Sequence, residues 1–254
     1  MPVPLSSRLL QLLLPSSCAL CGGGCAGVVC TPCRDHFCLP VTNRCARCAN
    51  PLLSFPRKRE SILSPQNNSH ESTCEVCQSY PPSYDATIFA VDYTPPLDHL
   101  VLQLKFSARL PLAPWFAELL RDAILARPSL PLPDLLCPVP LGPARLVERG
   151  YNQALEIARP LARLLGVALH PALALRQLDT RAQSGVSPYE RAENIRGAFA
   201  IADPDLIEGR HVGLVDDVMT SGHTLEELAA ACKRFGAARV SNLVFARTPP
   251  QRSL

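Results

Sequence analysis

The chain has 254 residues, 47% of them apolar and 19% charged, with a formal net charge of +3. This length exceeds one average domain and the composition can build a core, which excludes a disordered or fibrous chain. The charge is too small to imply a nucleic-acid partner by itself.

The amino-terminal stretch "MPVPLSSRLLQLLLPSSC" carries one Arg and a short apolar run broken by Gln11. That falls short of a signal peptide, and Pro15 stands where a lipoprotein processing site carries an aliphatic residue. No run approaches the ~18 apolar residues of a membrane span. The expected location is the cytoplasm. Residues 1–17 suit a short amphipathic helix packed on the cysteine-rich segment after it.

Twelve cysteines are the anomaly, and ten of them lie within residues 18–77. Eight of the ten form four Cys-x-x-Cys pairs: Cys18/Cys21, Cys30/Cys33, Cys45/Cys48 and Cys74/Cys77. A secreted domain would use such thiols as disulfides, whereas repeated Cys-x-x-Cys in a cytoplasmic chain suits zinc. Two four-cysteine sites use all eight. Consecutive pairing gives a double zinc ribbon, and the spacing equally allows interleaved pairing. A site closed by four thiolates is structural and leaves no open position for catalysis. Cys25, Cys38, Cys137 and Cys232 fall outside the spacing and read as buried apolar residues.

Residues 49–73 separate the last two pairs. Their core, "SFPRKRESILSPQNNSHEST", is polar and carries the basic run Arg57-Lys58-Arg59. It reads as a disordered insertion looped out of the second ribbon, since long loops cost little extra entropy. "SYPPSY" then marks a boundary, with a ribbon module over 1–80 and a second domain over 81–254.

Beyond the boundary, strand-like runs alternate with helical patterns. "ATIFAVDY", "DLLCPVPL", "HVGLVDDV" and "RVSNLVFAR" read as strands, and 113–126, 152–165 and 224–235 as helices. This alternation predicts an α/β fold with a parallel sheet and crossover helices.

The stretch "LVDDVMTSGHTLEEL", 214–228, is the most specific signal. An apolar strand ends in Asp216-Asp217, a hydroxyl-rich turn comes next, and a helix begins. Thr224-x-x-Glu227 reads as a capping box, and Gly236 as the helix stop. A helix start with free N–H groups favours an anion. Two adjacent carboxylates would repel that anion but suit the hydroxyls of a sugar attached to it. The pattern therefore reads as a clamp for ribose 5-phosphate.

This stretch resembles the phosphoribosyl-pyrophosphate (PRPP) loop of type I phosphoribosyltransferases. Together with "CPVPLGPARLVERGYNQALEIARPLA", "QSGVSPYERAENIRGAFAI" and the four cysteine pairs, it identifies the chain as resembling the ComF family. These are double-zinc-ribbon proteins with a phosphoribosyltransferase-like, Rossmann-like domain, associated with competence and DNA uptake. The resemblance runs from Cys18 to Arg247, and the 49–73 insertion departs from it.

The resemblance implies ribose contacts for Asp216 and Asp217. It implies 5-phosphate contacts for Thr220, Ser221, Gly222, His223 and Thr224, with the His223 ring facing solvent. It makes 140–150 the pyrophosphate loop, with Arg145 and Arg149 meeting phosphate charge. "ERGYNQA" is similar to the matching loop of glutamine-dependent amidophosphoribosyltransferase, and Asn152 suits either a helix cap or the substrate. It makes 180–194 a catalytic lid carrying Gln183, Arg191 and Asn194, and Lys105 matches the family with no role derivable from sequence. Mg²⁺ would accompany PRPP, held mainly by the ligand's own oxygens and water.

Three functions are compatible with the resemblance. The first is a phosphoribosyltransferase with an unknown acceptor. The second is an accessory protein whose ribbons handle single-stranded DNA or a DNA-uptake partner. The third is a PRPP-sensing regulator. The clamp ranks PRPP binding well above catalysis, and catalysis slightly above a purely DNA-handling role. Arg34, Arg44 and Arg47 with Phe37, Phe55 and Tyr80 make only a sparse stacking surface for DNA.

Overall fold

The computed structural model describes residues 16–52, 72–177 and 197–249. Residues 1–15 of the expected amino-terminal helix, the basic run 57–59 and the whole of the lid 180–194 lie outside them, and Ser16 and Ser17 are strand, not helix. Within the described residues the chain is an α/β protein. Strands β1 (Ser16–Ser17) and β2 (Gly24–Cys25) pair antiparallel. Short helices α1 (Thr31–Phe37) and α2 (Glu75–Ser79) carry the end of the second cysteine pair and the end of the fourth.

The larger unit is built on a five-stranded parallel sheet. Its strands are β3 (Ala86–Asp92), β4 (Leu135–Pro138), β5 (Ala168–Leu169), β8 (His211–Met219) and β9 (Arg239–Arg247), in the order β3-β9-β8-β4-β5. Its central strands are near-continuous apolar runs because both faces are covered. Helices α3 (Leu97–Phe106), α4 (Leu112–Leu125), α5 (Pro143–Arg149), α6 (Gln153–Leu165) and α7 (His223–Arg234) complete the unit. A separate antiparallel hairpin, β6 (Ala174–Arg176) with β7 (Phe199–Ile201), stands apart from the sheet.

Side chains alternate between faces along each strand. Val215, Leu243 and Phe245 turn to one face, where Leu100 and Leu104 of α3, Phe116 and Leu120 of α4, and Ile157 and Leu161 of α6 bury against them. Leu214, Val240 and Val244 turn to the other, beneath Leu225, Leu228 and Cys232 of α7. So β4 leads to a helix on one face and its neighbour β8 to a helix on the other. The crevice between their carboxyl ends is a switch point of the sheet, where ligands bind in folds of this kind.

The four predicted strands and three predicted helices are present with ends shifted by at most a few residues. The helix α3 and the short strands β5, β6 and β7 were not predicted, and a further difference lies between β4 and α6. There 143–149, read as loop, is the helix α5, which buries none of its side chains and so has no apolar periodicity to betray it.

The first ribbon packs on this core directly, since Cys18, Val29 and Cys33 belong to the same buried cluster as Trp115 and Phe116. Arg34 reaches Asp122 of α4 at 2.8 Å, but both side chains are about two-fifths exposed, so burial rather than this ion pair holds the ribbon. At the start of the expected insertion, Ala49 is fully buried and Asn50 O accepts from Cys45 N at 2.8 Å.

Phe116 and Phe245 stack with centroids 3.6 Å apart, beside the single tryptophan, Trp115. Phe245→Ala should cost about 3–5 kcal/mol. Urea titration followed by Trp115 fluorescence reads this layer, and a loss of under about 1 kcal/mol would contradict the packing described.

Candidate functional site

Strand β8 is buried on both faces through Val215 and then splits. Asp216 is half-buried, while Asp217 is only 2% exposed. The backbone helps to hold both: Asp217 N donates to Asp216 Oδ1 at 2.9 Å, and Val218 N to Asp217 Oδ1 at 2.9 Å. Lys105, at the end of α3, places Nζ 2.9 Å from Asp217 Oδ2, an ion contact outside hydrogen-bond alignment. This gives Lys105 the role that sequence alone withheld. Burial, then the neighbouring Asp217 charge, push the Asp216 carboxyl well above its ordinary range, and Lys105 only partly offsets them.

The turn behind the acids is tight. Gly222 has φ +85°, a left-handed conformation that favours glycine, and a Cβ there would press on the flexible end of the Met219 side chain. Gly222 is the N-cap of α7, and no side chain caps the helix. The expected capping box is therefore absent. Thr224 lies inside the first turn, and Glu227 Oε1 instead accepts from Gly197 N at 2.8 Å. Glu226, the acid of the first turn, is engaged by Ser83 N and Oγ, the latter at 2.6 Å. The free N–H groups of the helix start remain available to an anion. Thr220 and Ser221 are exposed beside them. The His223 ring is half-buried with Nδ1 enclosed, not turned to solvent as expected.

A cleft of about 250 Å³ opens at the switch point. It is lined by Asp216, Asp217, Thr220 and Thr224 on one side and Val139, Pro140, Leu141 and Arg145 on the other. Tyr93, Lys105, Gln153, Arg176 and Val218 complete the lining. The loop behind β4 is pinned by Asn152, whose Nδ2 donates to Val139 O at 3.0 Å while Oδ1 caps Ala154 N at 3.0 Å. The cleft thus sets three cations and a helix start around two carboxylates, an environment for a polyanion that also carries hydroxyls.

Arg149 lies elsewhere. It donates to Gln153 Oε1 at 2.6 Å, rests over the Phe106 ring at 5.2 Å, and lines an adjoining pocket with Glu148 and Tyr151. Lys105 borders both pockets. Gln183, Arg191 and Asn194 lie outside the described residues, in the segment that joins β6 to β7. Three lining residues were missed from sequence. Arg176 ends a strand that read as a connector, and Tyr93, the last residue of the predicted strand 86–93, lies just past the end of β3. Gln153 was passed over for its neighbour Asn152, although its side chain is nearly buried.

The eight paired cysteines form two groups, Cys18/Cys21/Cys30/Cys33 and Cys45/Cys48/Cys74/Cys77, with all ligand atoms within 4.8 Å of one another. The pairing is consecutive, not interleaved. Cys21 and Cys30 sulfurs are 3.8 Å apart and Cys48 and Cys74 sulfurs 3.6 Å. Tetrahedral zinc with bonds of about 2.3 Å requires sulfurs about 3.8 Å apart, so the groups fit zinc. Backbone N–H groups of Leu20 and Cys30 point at Cys18 Sγ, and that of Cys74 at Cys45 Sγ. Burial alone would raise the Cys18 thiol, but the N–H groups of Cys21, Cys30 and Leu20 bring it down to about 6. In the second group the Cys48 thiol holds Cys45 down at about 4, while burial raises Cys77 to about 12.

The chain matches the phosphoribosyl transferase domain family over residues 152–253. It is 37% identical to the DNA utilization protein YhgH of Salmonella typhi, covering 87% of this chain and 97% of that one. It is 30% identical to competence protein F of Haemophilus influenzae, covering 83% and 93% respectively. Among solved structures, a glutamine PRPP amidotransferase from B. subtilis superposes with a TM-score of 0.36 at 17% identity, covering 52% of this chain and 25% of that one, a likeness too loose to argue from.

Because the folded protein raises the Asp216 carboxyl, its ionisation works against folding. The stability from its protonated form is complete below about pH 3.9, the unfolded value, and is lost as pH rises through the raised folded value. Asp216→Asn should therefore raise the melting temperature at neutral pH, each ~1 kcal/mol being worth about 2–4 °C in a chain of this size. Differential scanning calorimetry at pH 7 checks this, and a lowered melting temperature would contradict it.

Proposed function

The chain belongs to the ComF family, that of competence protein F and the DNA utilization proteins, and from that premise we propose that its cleft binds PRPP with Mg²⁺. The observation that carries this reading is the juxtaposition, within one cleft, of two adjacent carboxylates and an uncapped helix start. The helix start of α7 takes the 5-phosphate on its N–H groups, with Thr220, Ser221 and Thr224 supplying hydroxyls. Asp216 and Asp217 accept from the 2′- and 3′-hydroxyls. Arg145, Lys105 and Arg176 face the pyrophosphate. Mg²⁺ would enter with the ligand, held mainly by pyrophosphate oxygens and water, and would neutralise charge there.

Such a site promotes phosphoribosyl transfer by positioning and charge alone. The C1–O bond breaks with its electron pair leaving on pyrophosphate, and the lone pair of an acceptor, a nitrogen in this reading, forms the new bond to C1. No side chain has to act as a covalent nucleophile. A sensor of PRPP would keep the same clamp without the transfer. The names of the relatives support placing either activity in DNA uptake and use. The two four-cysteine groups are read as structural zinc sites, each closed by its own thiolates.

Isothermal titration with PRPP and Mg²⁺ tests the clamp. A micromolar Kd, about −8 kcal/mol, is expected for the zinc-loaded protein, with a loss of at least about tenfold in Asp216→Asn/Asp217→Asn. Absence of binding by folded wild type would sink both the transferase and the sensor readings and leave the ribbons and DNA.

A further inference from the structure

Arg247 ends β9 and is only 6% exposed. A charge inside the apolar run "LVFAR" calls for partners, yet none of the ion pairs among the described residues includes it. Its guanidinium instead joins two distant parts of the chain. On one side NH1 donates to Met219 O at 3.0 Å, to Thr248 O at 2.7 Å and also to Thr220 O. On the other, Nε donates to Cys48 O at 3.2 Å and NH2 to Asn50 Oδ1 at 2.7 Å.

Met219 and Thr220 open the turn that reads as the phosphate loop, and Cys48 is a member of the second four-cysteine group. We propose that Arg247 is a positioning residue that couples metal occupancy of the second four-cysteine group to the shape and charge of the phosphate loop. This rests on the reading of that loop as a ribose-phosphate clamp.

Two physical effects carry the coupling. A turn that offers its N–H groups to an anion must direct carbonyls elsewhere, and buried carbonyls need donors. Arg247 supplies them from behind, with a fork of donors in fixed geometry. It also places a permanent positive charge beneath the anion site. That charge is out of water and needs an opposing one. Metal bonds of the second four-cysteine group hold the Cys48 backbone in place, and without the ion that hold is gone. Loss of metal therefore removes the fixed orientation of Cys48 O, one of the acceptors that aims the Arg247 fork. Ser83 and Tyr84 extend the same link, because Ser83 binds Glu226 in the first turn of α7 and Tyr84 Oη lies 3.7 Å from where a Gly222 Cβ would sit.

The test is a cycle between Arg247→Met and metal removal, read by PRPP titration with the metal content measured for each sample. Arg247→Met should keep two zinc ions per chain and bind PRPP at least about tenfold more weakly, a loss of about 1.4 kcal/mol. Arg247→Lys should fall between, since it keeps the charge and loses the fork. Asn50→Ala, which touches only the ribbon end, should weaken binding by a smaller factor. Stripping metal from wild type should weaken binding as much as Arg247→Met does, and stripping it from Arg247→Met should add little.

Metal removal risks unfolding the ribbon, so the reciprocal effect is read on intact protein. Ribose 5-phosphate should slow zinc extraction by a chelator in wild type but not in Arg247→Met. Wild-type affinity in Arg247→Met, or additive losses in the cycle, would overturn the coupling and leave the clamp standing. Wild type that binds no phosphoribosyl ligand would overturn the clamp, and the coupling with it.

Discussion

Asp216 and Asp217 are held side by side at the end of a strand that is buried on both faces. Adjacent carboxylates taken out of water repel each other and lose hydration, so the surroundings have to compensate. Lys105 answers Asp217, and backbone N–H groups answer one oxygen of each acid. What remains uncompensated is the raised Asp216 carboxyl. A pair of acids kept under such strain at a cleft mouth is typical of a binding site rather than of a scaffold. The uncapped start of α7 beside it tells the same story from the opposite charge. A helix built only for stability would close its first turn with the available Thr224 and Glu227, and this one does not.

The sheet explains why the two features meet. β4 and β8 are neighbours whose following helices cover opposite faces, so their carboxyl ends part and leave a crevice. Cations reach it from α3, from α5 and from the hairpin β6-β7. The cysteine groups stand outside the crevice, and their closed four-thiolate geometry suits them to bracing it. Arg247 bonds to both Cys48 O and Met219 O, and so joins the second group to the loop at the crevice.

Much of this was legible in the chain because it depends on periodicity and spacing. β3, β8 and β9 are apolar runs with clear ends, α7 has apolar residues at helical spacing, and the four cysteine pairs share one internal spacing. Asp216 and Asp217 stood out because two acids rarely close an apolar run. The rest depended on contacts distant in sequence. α5 buries no side chain and so leaves no periodic trace. Arg149 lies next to the cleft in sequence but turns to Phe106 and Gln153. Thr224 and Glu227 match a capping box locally, and tertiary contacts give both residues other surroundings. The five bonds of Arg247 join residues up to 199 positions apart, which no local pattern encodes.

The central question is where a sugar phosphate sits. A crystal structure of the zinc-loaded protein with PRPP and Mg²⁺ tests this most directly. The expected result is the 5-phosphate on the backbone N–H groups of residues 221–224, the ribose hydroxyls within hydrogen-bond distance of Asp216 and Asp217, and the pyrophosphate toward Arg145. Ligand bound elsewhere on the protein, or the acids left facing solvent with the sugar phosphate away from the start of α7, would contradict it.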